Sequence, residues 1–131
     1  MKTKSLGFIG GGRITGIFLQ AFANKKAIFD SISVFDTNPE ILQALKQKFP
    51  YIEILNSASE AAGKDVVFLA LHPPVVMETL EKISSDVSNQ TIFISLAPKI
   101  TIEKIASILK PVNQIVRIIT NATSVINHGY N

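Results

Sequence analysis

A short apolar run that ends against three consecutive glycines is the feature that most limits what this chain can fold into. Leu6-Gly7-Phe8-Ile9 leads into Gly10-Gly11-Gly12, and Ile14, Ile17, Phe18, Ala21 and Phe22 then fall at i, i+3, i+4, i+7 and i+8. The first segment has the length and character of a buried strand, and the last is the stripe of an amphipathic helix. Strand, glycine turn and helix in that order open a βαβ unit. Glycine at 10 permits a tight turn, glycine at 12 lets backbone approach a pyrophosphate, and the helix start offers N–H groups at a positive dipole end. The third small residue of this fingerprint falls on Thr15, with Gly16 beside it, so the match is weaker there. A glycine-rich turn without a ligand is the plainer alternative, but the strand before and the helix after favour a cofactor loop.

The same alternation continues along the chain. Strands are expected at Ile32–Phe35, Ile52–Leu55, Val66–Leu71, Thr91–Leu96 and Ile115–Ile119. Between them, Asn38 caps a helix with Pro39 at its first position and an apolar face of Ile41, Leu42, Leu45 and Phe49. Ser57-Ala58-Ser59-Glu60 has the form of a capping box before a brief helix that Gly63 closes. Pro73-Pro74 starts a helix faced by Val76, Leu80 and Ile83, and Thr101 caps one faced by Ile102, Ile105, Ala106 and Leu109. Six strands separated by helices predict an α/β fold: a doubly wound, mostly parallel, six-stranded Rossmann-type sheet in a single domain. In such sheets ligands sit beyond the carboxyl ends of the strands, where the strand order reverses.

Composition narrows the chemistry. The 131 residues include no cysteine and two histidines, which excludes disulfides, thiolate nucleophiles and a cysteine- or histidine-rich metal centre; no metal is expected. The net charge of +3 comes from scattered lysines without interleaved aromatics, so nucleic acid is not an expected partner. No apolar run approaches about 18 residues, so no membrane span is expected. Lys2 and Lys4 precede apolar residues as in a signal peptide, but the glycines and Arg13 interrupt that stretch, and the expected location is cytoplasmic. On that expectation the sequons Asn89-Gln90-Thr91 and Asn121-Ala122-Thr123 stay unmodified.

Asp36 ends the second strand, where an acidic residue holds the ribose 2′-OH of NAD and repels the 2′-phosphate of NADP. Thr37 and Asn38 offer hydrogen bonds to such a phosphate, and an ordinary turn aspartate is the bland alternative. The expected cofactor is NADP or NAD, with the balance tilted towards NAD.

Gly7-Phe8-Ile9-Gly10-Gly11-Gly12, Asp65-Val66-Val67-Phe68-Leu69-Ala70-Leu71-His72-Pro73 and Val116-Arg117-Ile118-Ile119-Thr120-Asn121 together resemble pyrroline-5-carboxylate reductases. Members of that family typically carry GFIGAGxM, DVVxLAVKP, SIAAGVTI and VRxMPNTP in this order. The resemblance spans essentially the whole chain. It implies an N-terminal NAD(P)-binding domain and the reduction of a cyclic imine, 1-pyrroline-5-carboxylate, to proline in proline biosynthesis. It also implies that Gly10, Gly11, Gly12, Arg13 and Ile14 hold the pyrophosphate, Asp36, Thr37 and Asn38 the adenosine ribose, and Asn56 the adenine. Leu71, His72 and Pro73 would border the nicotinamide ribose, and Ala97 and Asn121 the nicotinamide. The partners so implied are the dinucleotide and a small-molecule imine.

The departures fall on the nicotinamide and substrate side. The family lysine of VKP is His72 here, the AAG segment reads Ala97-Pro98-Lys99, and PNTP retains Asn121 but continues as Ala122-Thr123. An imidazole at 72 invites a general-acid role, but a residue entering a helix before Pro73-Pro74 serves more simply through its backbone, and no catalytic residue is assigned. His128 falls in a polar tail, and Arg117 within a strand suits internal pairing. The expected organisation is a dinucleotide-binding domain over residues 1–121 and a tail, 122–131, where a helical second domain begins in the family. That second domain forms the family's dimer, so a monomer or weak dimer is expected, with little or no imine reduction by the chain alone. The alternatives are a stand-alone dinucleotide-sensing or partner-binding module, and another NAD(P)-dependent dehydrogenase.

Overall fold

The computed structural model describes residues 3–71 and 73–118. The elements run β1 (Ser5–Ile9), α1 (Arg13–Asn24), β2 (Ser31–Phe35), α2 (Pro39–Lys48), β3 (Glu53–Ile54), α3 (Ala58–Ala62), β4 (Val66–Leu69), α4 (Pro73–Ile83), β5 (Ile92–Ser95), α5 (Ile102–Ile108) and β6 (Gln114–Arg117). They build one six-stranded sheet in the order β3-β2-β1-β4-β5-β6. The expectation of a mostly parallel sheet is sharpened, since every described pair is parallel. The order reverses between β1 and β4, which places the switch point at the glycine turn.

Alternation along the strands decides which helices cover which face. Leu6 and Phe8 of β1, Val34 of β2 and Phe68 of β4 share one core with Leu19 of α1 and Leu42, Leu45 and Phe49 at α2. Ile9, Val67, Leu69 and Phe93 point the other way, into a core with Ala58, Ala61, Leu80, Ile83 and Ile105 from α3, α4 and α5. Gly7 faces this second layer, and a Cβ there would lie 2.4 Å from the carbonyl oxygen of Ala61, so only glycine lets α3 lie this close to β1.

Several boundaries and faces differ from the sequence reading. β4 ends at Leu69, two residues earlier than expected, because the chain leaves the sheet once the Ala70 N–H has donated to the Ile9 carbonyl. β3 has two residues, both exposed, as an edge strand with one neighbour. β5 loses one residue at each end, and β6 runs over Gln114–Arg117; Ile119, its expected end, lies outside the described residues. The buried centre of α1 is Thr15 and Leu19, one residue round from the stripe read in the sequence, with Ile14, Phe18 and Phe22 at its flanks. On α5 the expected face is too broad: Ile105 and Leu109 are buried, whereas Ile102 and Ala106 are exposed, because a helix near the sheet's edge touches it along a narrow strip. In the capping box Ser57 Oγ accepts from Glu60 N, but the Glu60 carboxylate accepts from Asn56 N, one residue before the cap.

Candidate functional site

The glycine turn is built by strand continuation followed by one backbone reversal. Gly10 N donates to the Phe35 carbonyl at 2.7 Å, so its donor belongs to the β1–β2 ladder. Its φ of +107° then turns the chain away, and a Cβ at this position would sit 2.2 Å from the Ala70 carbonyl oxygen. Gly10 is thus wedged between the ends of β2 and β4, where side chains of L-residues are excluded both by dihedral and by space. Thr15, the weak point of the motif, is fully buried and its Oγ1 donates to the Gly10 carbonyl. A hydrogen bond here does the work that a small residue does elsewhere, tying the first turn of α1 to the turn before it.

The start of α1 differs from the starts of α2, α3 and α5. Asn38, Ser57 and Thr101 each cap α2, α3 and α5 with a side-chain oxygen. α1 has Gly12 as N-cap, no side-chain cap and no acidic residue in its first turn. No atom lies within 4 Å of where a Gly12 Cβ would be, so this end opens on space. Uncapped first-turn N–H groups at the positive end of a helix are a ready anion site, and they fit a pyrophosphate.

Beside this turn a cleft of about 460 Å³ brings together Gly10, Asp36, Thr37, Asn56 and Leu71. The Asp36 carboxylate accepts from Gly11 N and from Asn38 N, both at 2.8 Å, which joins the β2 loop to the glycine loop. Asn38 spends its side-chain oxygen on Glu40 N as the cap of α2. Gly11, Gly12 and Arg13 border a separate, mostly apolar groove between α1 and α2. Ile14 packs against the α1–α2 core, Pro73 opens α4, and Ala97, 2% exposed, lies in the core beyond β5. His72 and Asn121 lie outside the described residues.

Sequence reasoning missed part of the wall. Val75, Glu78, Thr79 and Lys82 line the cleft from α4, with Ser57 and Ser59 opposite. The four α4 residues fall at i, i+3, i+4 and i+7, a signal present in the sequence but mostly polar and so resembling a solvated face. Among the described residues no group of three or more His, Cys, Asp or Glu is placed to hold a metal ion, and no helix is long and apolar enough to cross a membrane.

Lys99 stands where the resemblance puts a glycine, and its φ is +68°. The backbone there keeps a conformation that suits glycine although the side chain has changed. Lys99→Gly is therefore expected to raise stability by about 1 kcal/mol in chemical denaturation. A drop instead would show that the lysine side chain makes compensating contacts.

The model of the family described as "NADP oxidoreductase coenzyme F420-dependent" matches residues 5–99, from β1 to the loop after β5. The chain belongs to that family. The pyrroline-5-carboxylate reductase of Escherichia coli (strain K12) is 28% identical over 128 residues, covering 96% of this chain and 47% of the reductase. A solved pyrroline-5-carboxylate reductase from Coxiella burnetii superposes with a TM-score of 0.82 at 28% identity, over 95% of this chain and 47% of that one. The Plasmodium falciparum pyrroline carboxylate reductase, solved with NADP bound, has a TM-score of 0.74 at 21% identity and matches in fold, over 92% of this chain and 44% of its own. The chain spans about half the length of the curated relatives it matches, 47% in each case.

Proposed function

We propose that the cleft binds the adenosine side of NADP or NAD, and that the chain is the cofactor-binding part of a reductase acting on 1-pyrroline-5-carboxylate. The observation that carries this reading is the uncapped start of α1 directly after the positive-φ turn at Gly10, at the switch point of the sheet. The N–H groups of that first turn would hold the pyrophosphate, Asp36 the adenosine ribose and Asn56 the adenine; Leu71, expected at the nicotinamide ribose, lines the same cleft as Asp36 and Asn56 and would instead bound the adenosine. A reduced dinucleotide held by these residues would supply the hydride for reduction of the imine to proline. The similarity to pyrroline-5-carboxylate reductases over nearly the whole chain supports this substrate over other imines or carbonyls.

Two residues assigned near the nicotinamide, His72 and Asn121, are outside the described part, so no proton donor is assigned. The chain's half-length coverage of its relatives supports a division of labour: this part holds the dinucleotide, and groups from elsewhere orient the imine. Orientation lost by about 1 Å already costs about 100-fold in rate. The 131-residue chain is therefore expected to bind dinucleotide saturably while turning over the imine at least about 100-fold more slowly than the Escherichia coli reductase. Calorimetric titration and imine-dependent oxidation of NADH or NADPH check the two parts separately. Comparable turnover would overturn the division of labour. Absence of binding by folded protein would overturn the cofactor reading and favour a partner-binding module.

A further inference from the structure

We infer that this site selects NADH against NADPH, through a carboxylate fixed at the ribose position and a helix start already closed to phosphate. The inference rests on the cofactor reading above and extends it to the one place where the two dinucleotides differ. The 2′-phosphate of NADPH adds about −1.5 to −2 charge and wants several donors. It would be delivered between the end of β2 and the start of α2.

What this chain fixes there is a carboxylate; Thr37, which lines the same cleft, and the Asn38 side-chain amide are the neutral donors beside it. Asp36 Oδ2 accepts from Gly11 N and Oδ1 from Asn38 N, both at 2.8 Å. Each carboxylate oxygen has about two lone-pair sites, so one N–H apiece leaves capacity for the ribose hydroxyls. The same two bonds hold the carboxylate in place, so it does not swing aside for a phosphate. The backbone at the start of α2 has no N–H to spare in compensation. Pro39 has no N–H, Glu40 N donates to Asn38 Oδ1 at 2.9 Å, and Ile41 N and Leu42 N donate to the Asn38 carbonyl at 3.2 and 3.4 Å. Glu40 adds its own charge to this first turn.

The contrast with α1 lies within one molecule. The helix that meets the pyrophosphate starts uncapped and without acidic residues, whereas the helix that would meet a 2′-phosphate starts with its donors used and a glutamate in place. On the facing wall Lys82 lines the cleft as a cation, but Glu78 lines it one turn earlier. Among the described residues, two carboxylates, Asp36 and Glu78, against one ammonium give the lining a formal charge of −1. The family description and the Plasmodium falciparum structure both name NADP, so this chain is inferred to depart from them in cofactor choice.

The test is parallel calorimetric titration of the folded chain with NADH and NADPH near physiological ionic strength. NADH is expected to bind about tenfold or more tightly, because like charges brought together at an interface strongly disfavour the wrong partner. Asp36→Ser should shrink that ratio by about tenfold, weakening NADH and strengthening NADPH. Glu40→Gln leaves every backbone bond of the cap in place and should strengthen NADPH by up to about fivefold, so the proposal stays testable if the Asp36 variant fails to fold. Equal or tighter binding of NADPH by the parent chain overturns the inference and leaves the cofactor reading standing. So does an unchanged ratio in a folded Asp36→Ser chain, and unchanged NADPH affinity in Glu40→Gln removes the part assigned to α2. Failure of both dinucleotides to bind overturns the cofactor reading itself.

Discussion

Gly10→Ala is expected to cost about 3 kcal/mol or more of stability and to abolish measurable dinucleotide binding. Two independent penalties meet at this position. The φ of +107° is one that a residue with a Cβ rarely adopts, and the added Cβ would lie 2.2 Å from the carbonyl oxygen and 2.9 Å from the carbonyl carbon of Ala70. Neither is relieved by a side-chain rotation, because the obstacle is backbone at the end of β4. Relief requires β1 and β4 to separate at the switch point, and that motion stretches the Ala70–Ile9 hydrogen bond while pressing Gly10 against Phe35 of β2. For a domain of this size the melting temperature should fall by roughly 10 °C or more. Gly12→Ala is the matched comparison, since its φ is −79° and its Cβ would meet nothing within 4 Å. That variant should stay within about 1 kcal/mol of the parent and lose binding alone, where backbone must approach the pyrophosphate. Denaturant melts of the two variants beside the parent decide the matter. A Gly10→Ala chain melting within a few degrees of the parent would mean that the turn has another low-energy conformation.

The frame of the fold was legible because burial leaves simple marks. Val66 to Leu69, covered by helices on both faces, reads as an unbroken apolar run, and the glycine cluster marks where β1 must turn. What escaped was settled by contacts between distant segments. Thr15 is polar and stood outside any apolar stripe, yet it is fully buried because the Gly10 carbonyl accepts its hydroxyl. Glu78, Thr79 and Lys82 resemble a solvated helix face until the β2 loop and the start of α3 are folded opposite them. Ile102 is apolar but 41% exposed, since α5 lies near the edge of the sheet and presents more apolar surface than the sheet can cover. The aspartate after β2 was legible as a ribose partner. Its engagement by Gly11 N and Asn38 N, which fixes the carboxylate, required the three-dimensional loop.

Phe68→Ala should be nearly as destabilising as the glycine variant but should leave the site working. Phe68 pairs in register with Phe8 across β4 and β1, and their rings stack at 4.4 Å between centroids with planes 9° apart. Phe18 and Phe22 of α1 approach the Phe68 ring at 5.7 and 6.4 Å, and Phe22 continues to Phe29 at 5.0 Å. Removing a 5% exposed ring from the middle of this cluster leaves a cavity that α1 and two strands cannot close together. Large-to-small substitutions of this kind cost about 3–5 kcal/mol, and lost ring pairing adds about 0.5–1.5 kcal/mol within that range. Against a total stability of about 5–15 kcal/mol, the variant should melt markedly earlier, and Phe68→Leu should recover much of the loss. Binding should survive because the cluster holds the middle turns of α1 and not its start. The first turn is tied separately, by Thr15 Oγ1 to the Gly10 carbonyl and by Gly11 N to Asp36. Dinucleotide affinity measured well below the variant's melting temperature should therefore stay within about threefold of the parent, a difference under 1 kcal/mol. If a folded Phe68→Ala chain instead bound NADH more than about tenfold more weakly, the position of α1's first turn would depend on the aromatic cluster beneath it, and the two hydrogen bonds would not suffice to hold the anion site in place.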